Sequence, residues 1–359
     1  MFYKLESLRG FAACMVILYH SPYTLFQTGT AFINHSYLFV DLFFILSGFV
    51  IQHAYGDKIR DGFKFSDFIL LRWARVYPLH VFMLLAFAAF VGAKMVLHHY
   101  TGLGGAQEFD RNNAHSALMH LLLLHSLWQP YLTWNEPSWS ISAEFYTYIT
   151  FFLFIRWLDI RHTPRYFPVV LSAGIYLWLL TRVQPDLNIS YDYGFLRCIA
   201  GFYLGVFLHR YREAALARIT HIQLAEIGAL LLTVVAVSLA GEGPRYQWLT
   251  ILSFASLLLV YAHPQSGLLG RLLLLSPALK LGKWSYSIYM THILIVFVMV
   301  QVTTVLLRTH YSEVHGGLAL LLNTIIFMLT LAISRLTFTH IEDRFRNMVS
   351  SKLKHKRSS

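Results

Sequence analysis

Residues 284–307 read WSYSIYMTHILIVFVMVQVTTVLL and contain no Asp, Glu, Lys or Arg. A helix needs about 20 mostly apolar residues to cross the hydrocarbon core of a bilayer, so this run predicts a membrane-spanning helix. Nine other runs along the chain have the same apolar character. The complete set of predicted spans is 7–26, 37–55, 77–97, 139–158, 167–183, 194–209, 222–240, 246–262, 284–307 and 317–338.

The composition of the whole chain agrees with a membrane protein. Of its 359 residues, 56% are hydrophobic and 13% are charged, whereas a soluble domain carries roughly 25% charged residues. Disordered proteins have low hydrophobicity, so that class is excluded as well. The apolar run from Leu8 to Phe26 lacks the small-residue cleavage site of a secretory signal peptide, and we expect it to be the first span.

The distribution of basic residues predicts the orientation of the spans. The chain has 29 Lys and Arg against 18 Asp and Glu, a formal net charge of +11. With a cytoplasmic N-terminus, the loops on that side carry 22 basic residues and the opposite loops carry five, while Arg197 and Arg335 lie within spans. Basic residues concentrate in cytoplasmic loops, which accounts for the positive charge without nucleic-acid binding. The sequence therefore predicts an all-α, polytopic transmembrane helical bundle of about ten spans with both termini cytoplasmic.

Neither the cysteines nor the histidines form a recognisable cofactor motif. Cys14 and Cys198 lie in apolar stretches and are too few for a disulfide framework or a thiolate metal site. The 18 histidines include no persuasive pair at matched depth on two spans, and Cys-x-x-Cys-His is absent, so a haem protein is disfavoured. We therefore expect no metal and no permanently bound cofactor. The short segment 115–128, with three histidines, is interpreted as re-entrant or interfacial.

Two ionisable residues lie within the first predicted span. Arg9 and His20 are 11 residues apart, about three helical turns, so both lie on one helix face and are separated by roughly 16 Å along the axis. Ionisable groups inside a span are costly and mark functional sites by default. The alternative is that Arg9 reaches the lipid headgroups with its guanidinium group and that His20 is an interfacial residue.

Carboxylates occur near the outer ends of two other spans. Asp41 opens the second span, and Glu144 lies about 8 Å into the fourth, at a depth similar to that predicted for His20. A carboxylate beside an imidazole suits a catalytic base and its orienting partner, and a purely structural pair is the alternative. Ser47 and Gly48, in the middle of the second span, allow the close approach of either a neighbouring helix or a ligand.

Two arginines precede the third predicted span. Arg72 and Arg75 are three residues apart on one helix face, and forked guanidinium groups suit phosphate recognition. Topological charge at a cytoplasmic entry is the competing explanation. In the ninth span, the hydroxyl-bearing residues around Tyr289 and His292 either line a polar cavity or form interhelical hydrogen bonds.

Five motifs together resemble those of one membrane-enzyme family. They are Leu8–Phe11 followed by His20, Asp41–Phe44 with Ser47–Phe49, the pair Arg72 and Arg75, Trp139–Tyr146, and Ser285–His292. In this order and over nearly the whole chain, they resemble the acyltransferase 3 family of integral membrane acyltransferases. We accordingly expect a transmembrane acyltransferase domain over residues 1–340 and a basic cytoplasmic tail over residues 341–359.

The resemblance also implies an activity. Members of the family move an acyl group, usually acetyl, from cytoplasmic acyl-CoA to a hydroxyl of a glycan, a lipid-linked sugar or a small product. We therefore expect an inner-membrane O-acetyltransferase that uses acetyl-CoA or another acyl-CoA as donor, for instance in exopolysaccharide modification. The chain departs from the family at Ile341–Arg346, where a common proline is missing, so a role for Glu342 is left open. We expect no outer hydrolase-like domain after the last span.

The motifs and the resemblance together assign roles to particular residues. The expected catalytic residues are His20, as general base, with Arg9, Glu144 and Asp41. The expected acyl-CoA contacts are Arg72, Arg75, Ser47 and Gly48, and the expected substrate contacts are Trp139, Tyr289 and His292. Stabilisation of the thioester oxyanion is expected from Ser47, Ser140 or Tyr289. A covalent acyl-histidine at His20 is the open alternative to general-base catalysis.

A non-enzymatic transporter or flippase for a glycan or lipid is the competing interpretation, because intramembrane charges and a polar cavity serve such a protein equally well. The arginine pair at the cytoplasmic mouth and the absence of visible inverted repeats favour the enzyme. The expected partners are acyl-CoA, the glycan or lipid-linked acceptor and membrane lipid. Nucleic acid is not expected, and the sequence carries no signal of oligomeric state.

Overall fold

A computed structural model describes residues 2–23, 30–101, 110–158, 163–308 and 310–358, and within these ranges its regular structure is helical, without strands. The principal helices are α1 (Tyr3–Tyr19), α2 (Phe39–Arg60), α3 (Phe65–Thr101), α4 (Ala114–Leu121), α5 (Trp139–Leu153), α6 (Phe167–Trp178), α7 (Gly194–Leu216), α8 (Ile222–Ser238), α9 (Pro244–Ala262), α10 (Leu268–Leu273), α11 (Ser276–Leu307), α12 (Gly316–Thr337) and α13 (Asp343–Ser358). The all-α prediction is confirmed for these residues. Residues 24–26 of the first predicted span and Arg161 lie outside them.

The apolar runs of the sequence correspond to helices of this set. Among the described residues, four helical segments are long and apolar enough to cross a membrane, namely Ser36–Arg60, Phe65–Tyr100, Ser276–Leu307 and Gly316–Leu353. Phe167–Val183 and Ile222–Ser238 are apolar but shorter. The protein is therefore a helical membrane protein, and the count of ten spans and the orientation of the termini stay predictions.

Two helix boundaries differ from the predicted ones in ways that affect the site. α1 ends at Tyr19 and His20 forms its C-cap, so His20 lies at a helix end. α3 begins at Phe65, because Phe68 is fully buried and extends the packed part of the helix toward its N-terminus. Arg72 and Arg75 consequently lie on this long helix rather than before it.

The C-terminal segment starts inside the bundle. α12 passes through a π turn at Phe338–Glu342 into α13, which packs against α3. Glu342 is only 1% exposed in this turn. The predicted basic tail over residues 341–359 is thus helical over Asp343–Ser358 and begins with a buried carboxylate.

Close helix contacts at four glycines hold the centre of the bundle. A side chain at Gly48 would collide with the backbone of Phe202, and one at Gly205 would collide with the carbonyl oxygen of Ile45, so α2 and α7 touch backbone to backbone. Small residues at helix contacts allow this approach in membrane proteins. This contact explains why position 48 is a glycine: Gly48 is a packing residue.

The second glycine contact joins α1 to α11 and sets their register. A side chain at Gly10 would collide with Leu281, and one at Gly282 would collide with Glu6, so these two backbones also touch. His20 and His292 each follow their glycine by ten residues and meet again further along. The two helices therefore run parallel, and the glycine contact lies about 15 Å from the histidine pair.

We expect Gly205→Ala to lower the apparent melting temperature of the detergent-solubilised protein, because overpacking a helix contact typically costs about 1–3 kcal/mol. The matched control is Gly228→Ala on α8, where a side chain would meet nothing within 4 Å. That variant should melt at the wild-type temperature or above it, because alanine favours helix over glycine by about 1 kcal/mol. Equal melting of the two variants, measured by fluorescence-detected size exclusion after heating, would contradict the backbone contact.

Candidate active site

Two adjoining cavities lie between α1, α2, α5 and α11. The first, called here the His20 cavity, has a volume of about 360 Å³ and is lined by His20, Trp139 and Arg197 among others. Tyr289 and Val40 close one side of it. The site residues His20, Trp139 and Tyr289, predicted from three distant motifs, are thus brought together.

The second cavity, called here the Arg9 cavity, is narrower, with a volume of about 40 Å³. It is lined by Arg9, Glu144 and Ser285 among others, and it shares Val40 and Tyr289 with the His20 cavity. Arg9 and His20, which were predicted to be separated along one helix, thus line two neighbouring cavities.

His20, which lines the His20 cavity, is paired with His292, which lies behind it and lines neither cavity, contrary to the expected substrate contact. Nδ1 of His20 lies 3.0 Å from the carbonyl oxygen of Val16 and 3.3 Å from Nε2 of His292. Nδ1 of His292 lies 2.7 Å from the carbonyl oxygen of Tyr289. His292 is fully buried, so its imidazole is fixed by these contacts.

These contacts assign the proton positions of the two rings. A carbonyl oxygen only accepts, so Nδ1 of His292 donates to Tyr289 and its Nε2 carries a lone pair. Nδ1 of His20 then donates toward Val16 and His292. Nε2 of His20 therefore carries a lone pair, and it has no hydrogen-bond partner among the described residues. This arrangement presents an oriented base to the cavity.

Asp41 is the partner of a buried arginine rather than of His20. Its carboxylate accepts from Nη2 of Arg197 at 2.6 Å, from Nε of Arg197 at 3.1 and 3.2 Å, and from the hydroxyl of Tyr176 at 3.2 Å. Asp41 and Arg197 are both almost fully buried. The expectation that Asp41 orients His20 is corrected: within the described part of the chain, the side-chain partner of His20 is His292.

Glu144 lies beside Arg9 rather than beside His20. It lines the Arg9 cavity and interacts electrostatically with the Arg9 guanidinium group. Glu144 does not line the His20 cavity, and within the described residues the side-chain partner of His20 is His292, so the predicted Glu144–His20 pairing is not formed.

Arg75 pairs with the carboxylate whose role the sequence left open. Nη1 of Arg75 lies 3.0 Å from Oε1 of Glu342. Ser287 donates to Oε2 of Glu342 at 3.0 Å. Arg9 also interacts electrostatically with both members of this pair, unfavourably with Arg75 and favourably with Glu342. α1, α3, α11 and the turn before α13 are therefore joined by one network of charges.

Arg72 is held by aromatic residues instead of a carboxylate. Its Nη2 donates to the hydroxyl of Tyr55 at 2.9 Å, and its guanidinium group lies over the Tyr55 ring at 4.8 Å. Its Nε is buried without a hydrogen-bond partner among the described residues. Ser47 is 3.3 Å from the hydroxyl of Tyr148, whose ring also lies near Arg72. Acyl-CoA binding by Arg72 and Ser47 stays a prediction.

Hydroxyl groups at the junction of the two cavities are already engaged. Ser140 donates to the hydroxyl of Tyr289 at 2.8 Å, and Tyr289 donates to the carbonyl oxygen of Pro137 at 2.8 Å. Ser285, in contrast, lines the Arg9 cavity with a buried hydroxyl that has no hydrogen-bond partner in the described ranges. Ser285 is therefore better placed to donate to a bound group than Ser140 or Tyr289.

Comparison with known proteins identifies the family. A family model described as an acyltransferase domain, that of acyltransferase 3, matches residues 2–338. The chain belongs to the acyltransferase 3 family. The predicted resemblance is confirmed, and membership of this family makes the protein an acyltransferase. No solved structure matches this acyltransferase.

Curated relatives of this acyltransferase come from several bacteria. Protein 2 in the picA locus of Rhizobium radiobacter is 34% identical over 192 residues, which is 51% of this chain and 95% of that protein. Acyltransferase MdmB of Streptomyces mycarofaciens is 34% identical over 166 residues, 43% of this chain and 39% of the relative. O-acetyltransferase OatA of Staphylococcus aureus is 23% identical over 376 residues, 95% of this chain and 57% of the relative. The chain thus matches less than two thirds of the length of the latter two.

Sequence reasoning alone missed the pairing partners in this acyltransferase. Arg197 was visible as an arginine within a predicted span, which is the signal that marks a buried ion pair or a functional site. The pairing of His292 with His20 had no signal in the local sequence, because it depends on the register of α1 against α11. Glu342 stood at a departure from the family pattern, yet it is buried and paired.

We expect the loss of Arg197 alone to destabilise the protein more than the loss of Asp41 and Arg197 together. Arg197→Met leaves a buried carboxylate unpaired and should destabilise this acyltransferase by about 3–5 kcal/mol, whereas Asp41→Leu combined with Arg197→Met should recover much of that loss. Thermal unfolding of the purified variants measures the difference. The exposed pair of Arg60 and Asp57, 2.7 Å apart on α2, is the control, and Arg60→Ala should leave the melting temperature unchanged. A double variant as unstable as Arg197→Met would contradict the pairing argument.

Proposed function

We propose that this acyltransferase moves an acyl group, acetyl above all, from cytoplasmic acyl-CoA to a hydroxyl of a glycan or lipid-linked sugar, with His20 as general base. The observation that carries the proposal is the Nε2 atom of His20, which is free of hydrogen bonds within the described residues while Nδ1 is anchored. The names of OatA and MdmB, an O-acetyltransferase and an acyltransferase, support this type of transfer. No observation favours the transporter interpretation over it.

The proposed location is the inner membrane, with about ten spans and both termini in the cytoplasm. This orientation follows from the excess of basic residues in alternate loops. It places Arg9, Arg72 and Arg75 toward the cytoplasm, where acyl-CoA is available, and His20 toward the outer side, where a glycan acceptor arrives. The two cavities that share Val40 and Tyr289 support a path for the acyl group between these two sides.

In this proposal the basic residues bind acyl-CoA, the acyl donor, and its thioester reacts at the junction of the His20 cavity and the Arg9 cavity. Arg72 contributes a guanidinium group with an unpartnered Nε for a phosphate of CoA. Arg75 stabilises the cytoplasmic entrance through its ion pair with Glu342. Arg9 lines the Arg9 cavity, through which the thioester-bearing arm of acyl-CoA passes. Ser285 donates its free hydroxyl hydrogen to the thioester oxygen as negative charge develops there.

A single base, His20, is sufficient for both proton transfers of the acyl-transfer reaction. Nε2 of His20 takes the proton of the acceptor hydroxyl while the oxygen of that hydroxyl attacks the carbonyl carbon of the thioester. The C–O bond of the ester forms and the C–S bond breaks, and CoA leaves as a thiolate. The proton passes from His20 to that sulfur, which restores the neutral imidazole. His292 contacts His20 but no reacting group in this scheme, so it is a positioning residue.

We expect His20→Ala to reduce acyl transfer by about 10²–10⁴-fold, the range that general-base catalysis contributes. His292→Ala should lower kcat about 10–100-fold with little change in KM, and His292→Gln, which supplies an amide oxygen as acceptor, should restore part of kcat. The assay follows labelled acetyl from acetyl-CoA into the glycan or lipid-linked fraction of inside-out membrane vesicles. His221→Ala, an exposed histidine before α8, is the control with wild-type activity.

Two outcomes of this assay would contradict the scheme. Wild-type turnover in His20→Ala would remove His20 from the chemistry. Label that accumulates covalently on the wild-type protein without an acceptor, and not on His20→Ala, would replace the general base by an acyl-histidine intermediate.

We expect Arg72→Ala to raise the KM for acetyl-CoA about tenfold or more with a smaller effect on kcat, because a hydrogen bond to a charged group contributes about 1.5–3 kcal/mol. Arg60→Ala removes a positive charge from α2 at a residue that pairs with Asp57, and it should leave the KM unchanged. Measurement of initial rates against acetyl-CoA concentration separates the two. An unchanged KM in Arg72→Ala would place CoA elsewhere.

A further inference from the structure

Three histidines outside both cavities meet in one cluster. His80 lies on α3, His120 lies on α4, and His125 follows α4 in a turn. All three are at most 5% exposed. Each contributes a ring nitrogen, and these atoms lie within 4.8 Å of one another. The sequence singled out His120 and His125 in a short segment without a function, and His80 joins them from a long apolar helix.

The second ring nitrogen of each histidine is tied to an oxygen. Nε2 of His80 lies 2.9 Å from the carbonyl oxygen of His120, and Nε2 of His125 lies 3.0 Å from that of Ser138. Because a carbonyl oxygen only accepts, both imidazoles carry their proton on Nε2.

His120, the third histidine, also carries its proton on Nε2, but its hydrogen-bond acceptor is a hydroxyl oxygen. Nε2 of His120 lies 2.9 Å from Oγ1 of Thr133, and that hydroxyl donates its own hydrogen to Gln129 at 2.9 Å. Thr133 therefore accepts from His120, so the proton of His120 is also on Nε2. The three hydrogen bonds leave three Nδ1 lone pairs.

Those three Nδ1 atoms are buried and have no hydrogen-bond partner among the described residues. Buried polar atoms are almost always paired, and an unpaired one costs free energy. Because each histidine has a ring nitrogen within 4.8 Å of the other two, a single cation can satisfy all three acceptors.

We propose that His80, His120 and His125 bind one divalent transition-metal ion, zinc in the first place, through their Nδ1 atoms. Imidazole is a preferred ligand of zinc, and three histidines with a solvent molecule complete a tetrahedron. Metal-bound histidines typically donate their other N–H to a carbonyl or another oxygen, and all three do so here. The proposal departs from the expectation of no metal, which considered thiolates and paired haem ligands but not three histidines from separate elements.

The rings need a modest rearrangement to bind the ion. They lie nearly parallel, with interplanar angles of 4–6°, whereas each Nδ1 lone pair must point at the ion from about 2.0–2.1 Å. Rotation about each Cβ–Cγ bond tilts the rings while Nε2, close to the rotation axis, stays near its oxygen. A polar cavity of about 500 Å³, lined by Asp110, Thr133 and Glu136 among others, extends as far as Thr133, the hydrogen-bond partner of His120.

A metal at this position would fasten α4 and the following turn to α3. It would also fix Ser138, which precedes α5 and is held by His125. α5 carries Trp139 into the His20 cavity and Ser140 and Glu144 into the Arg9 cavity. The expected role is therefore structural, and the inference is independent of the proposed acyl transfer.

The test is the metal content of the full-length protein, purified in detergent without a polyhistidine tag and dialysed against zinc sulfate. Inductively coupled plasma mass spectrometry should find about one tightly held zinc ion per chain in the wild type, since the three ligands form one site. His120→Gln combined with His125→Gln should lose most of this zinc. His115→Ala, an exposed histidine on the same helix α4, should retain it.

A second measurement on the wild type guards against a variant that fails to fold. Zinc-edge X-ray absorption of the loaded protein should give nitrogen scatterers at about 2.0–2.1 Å. Wild-type zinc no higher than that of the double variant, equal losses in His115→Ala, or a zinc shell without imidazole scattering would each overturn the site.

Discussion

The cost of leaving a charge unpaired inside an apolar bundle decides which helices meet. Asp41 and Arg197 are separated by 156 residues, yet they form a buried pair with a 2.6 Å contact. Arg75 and Glu342 join α3 to the turn before α13 in the same way. Removal of one member of such a pair leaves a buried charge without compensation, which is far more costly than loss of the pair as a whole. These pairs therefore act as constraints on helix arrangement rather than as large sources of stability.

Glycine contacts convert that arrangement into a defined site. Backbone contact at Gly10 and Gly282 fixes the distance and register of α1 and α11, and the same register brings His20 to His292 ten residues later. A helix shifted by a single residue would rotate each imidazole by about 100° around its axis. The histidine pair is thus a consequence of packing at a different level of the bundle.

Much of the helical framework could be predicted from the sequence, because long apolar runs in a membrane protein have few alternatives to the helix. Arg9 and His20 could be singled out as candidate site residues because they are ionisable residues in an apolar run and belong to the family motifs. Their partners could not be predicted, because the depth of a residue in a span says nothing about which neighbouring helix faces it. Depth alone paired His20 with Glu144, whereas in the structure Glu144 lines the Arg9 cavity and His20 contacts a second histidine.

The choice of a histidine instead of a carboxylate as the partner of His20 has a physical consequence. A carboxylate in the same place would add a buried negative charge that needs its own compensation. His292 instead contributes a neutral lone pair, and its Nδ1 is held by the Tyr289 carbonyl oxygen at 2.7 Å. For His20 to move its proton to Nε2, it would have to give up its contacts with both Val16 and His292. The neutral pair therefore fixes the tautomer of His20 with Nε2 as the basic atom, without a further charge in the bundle.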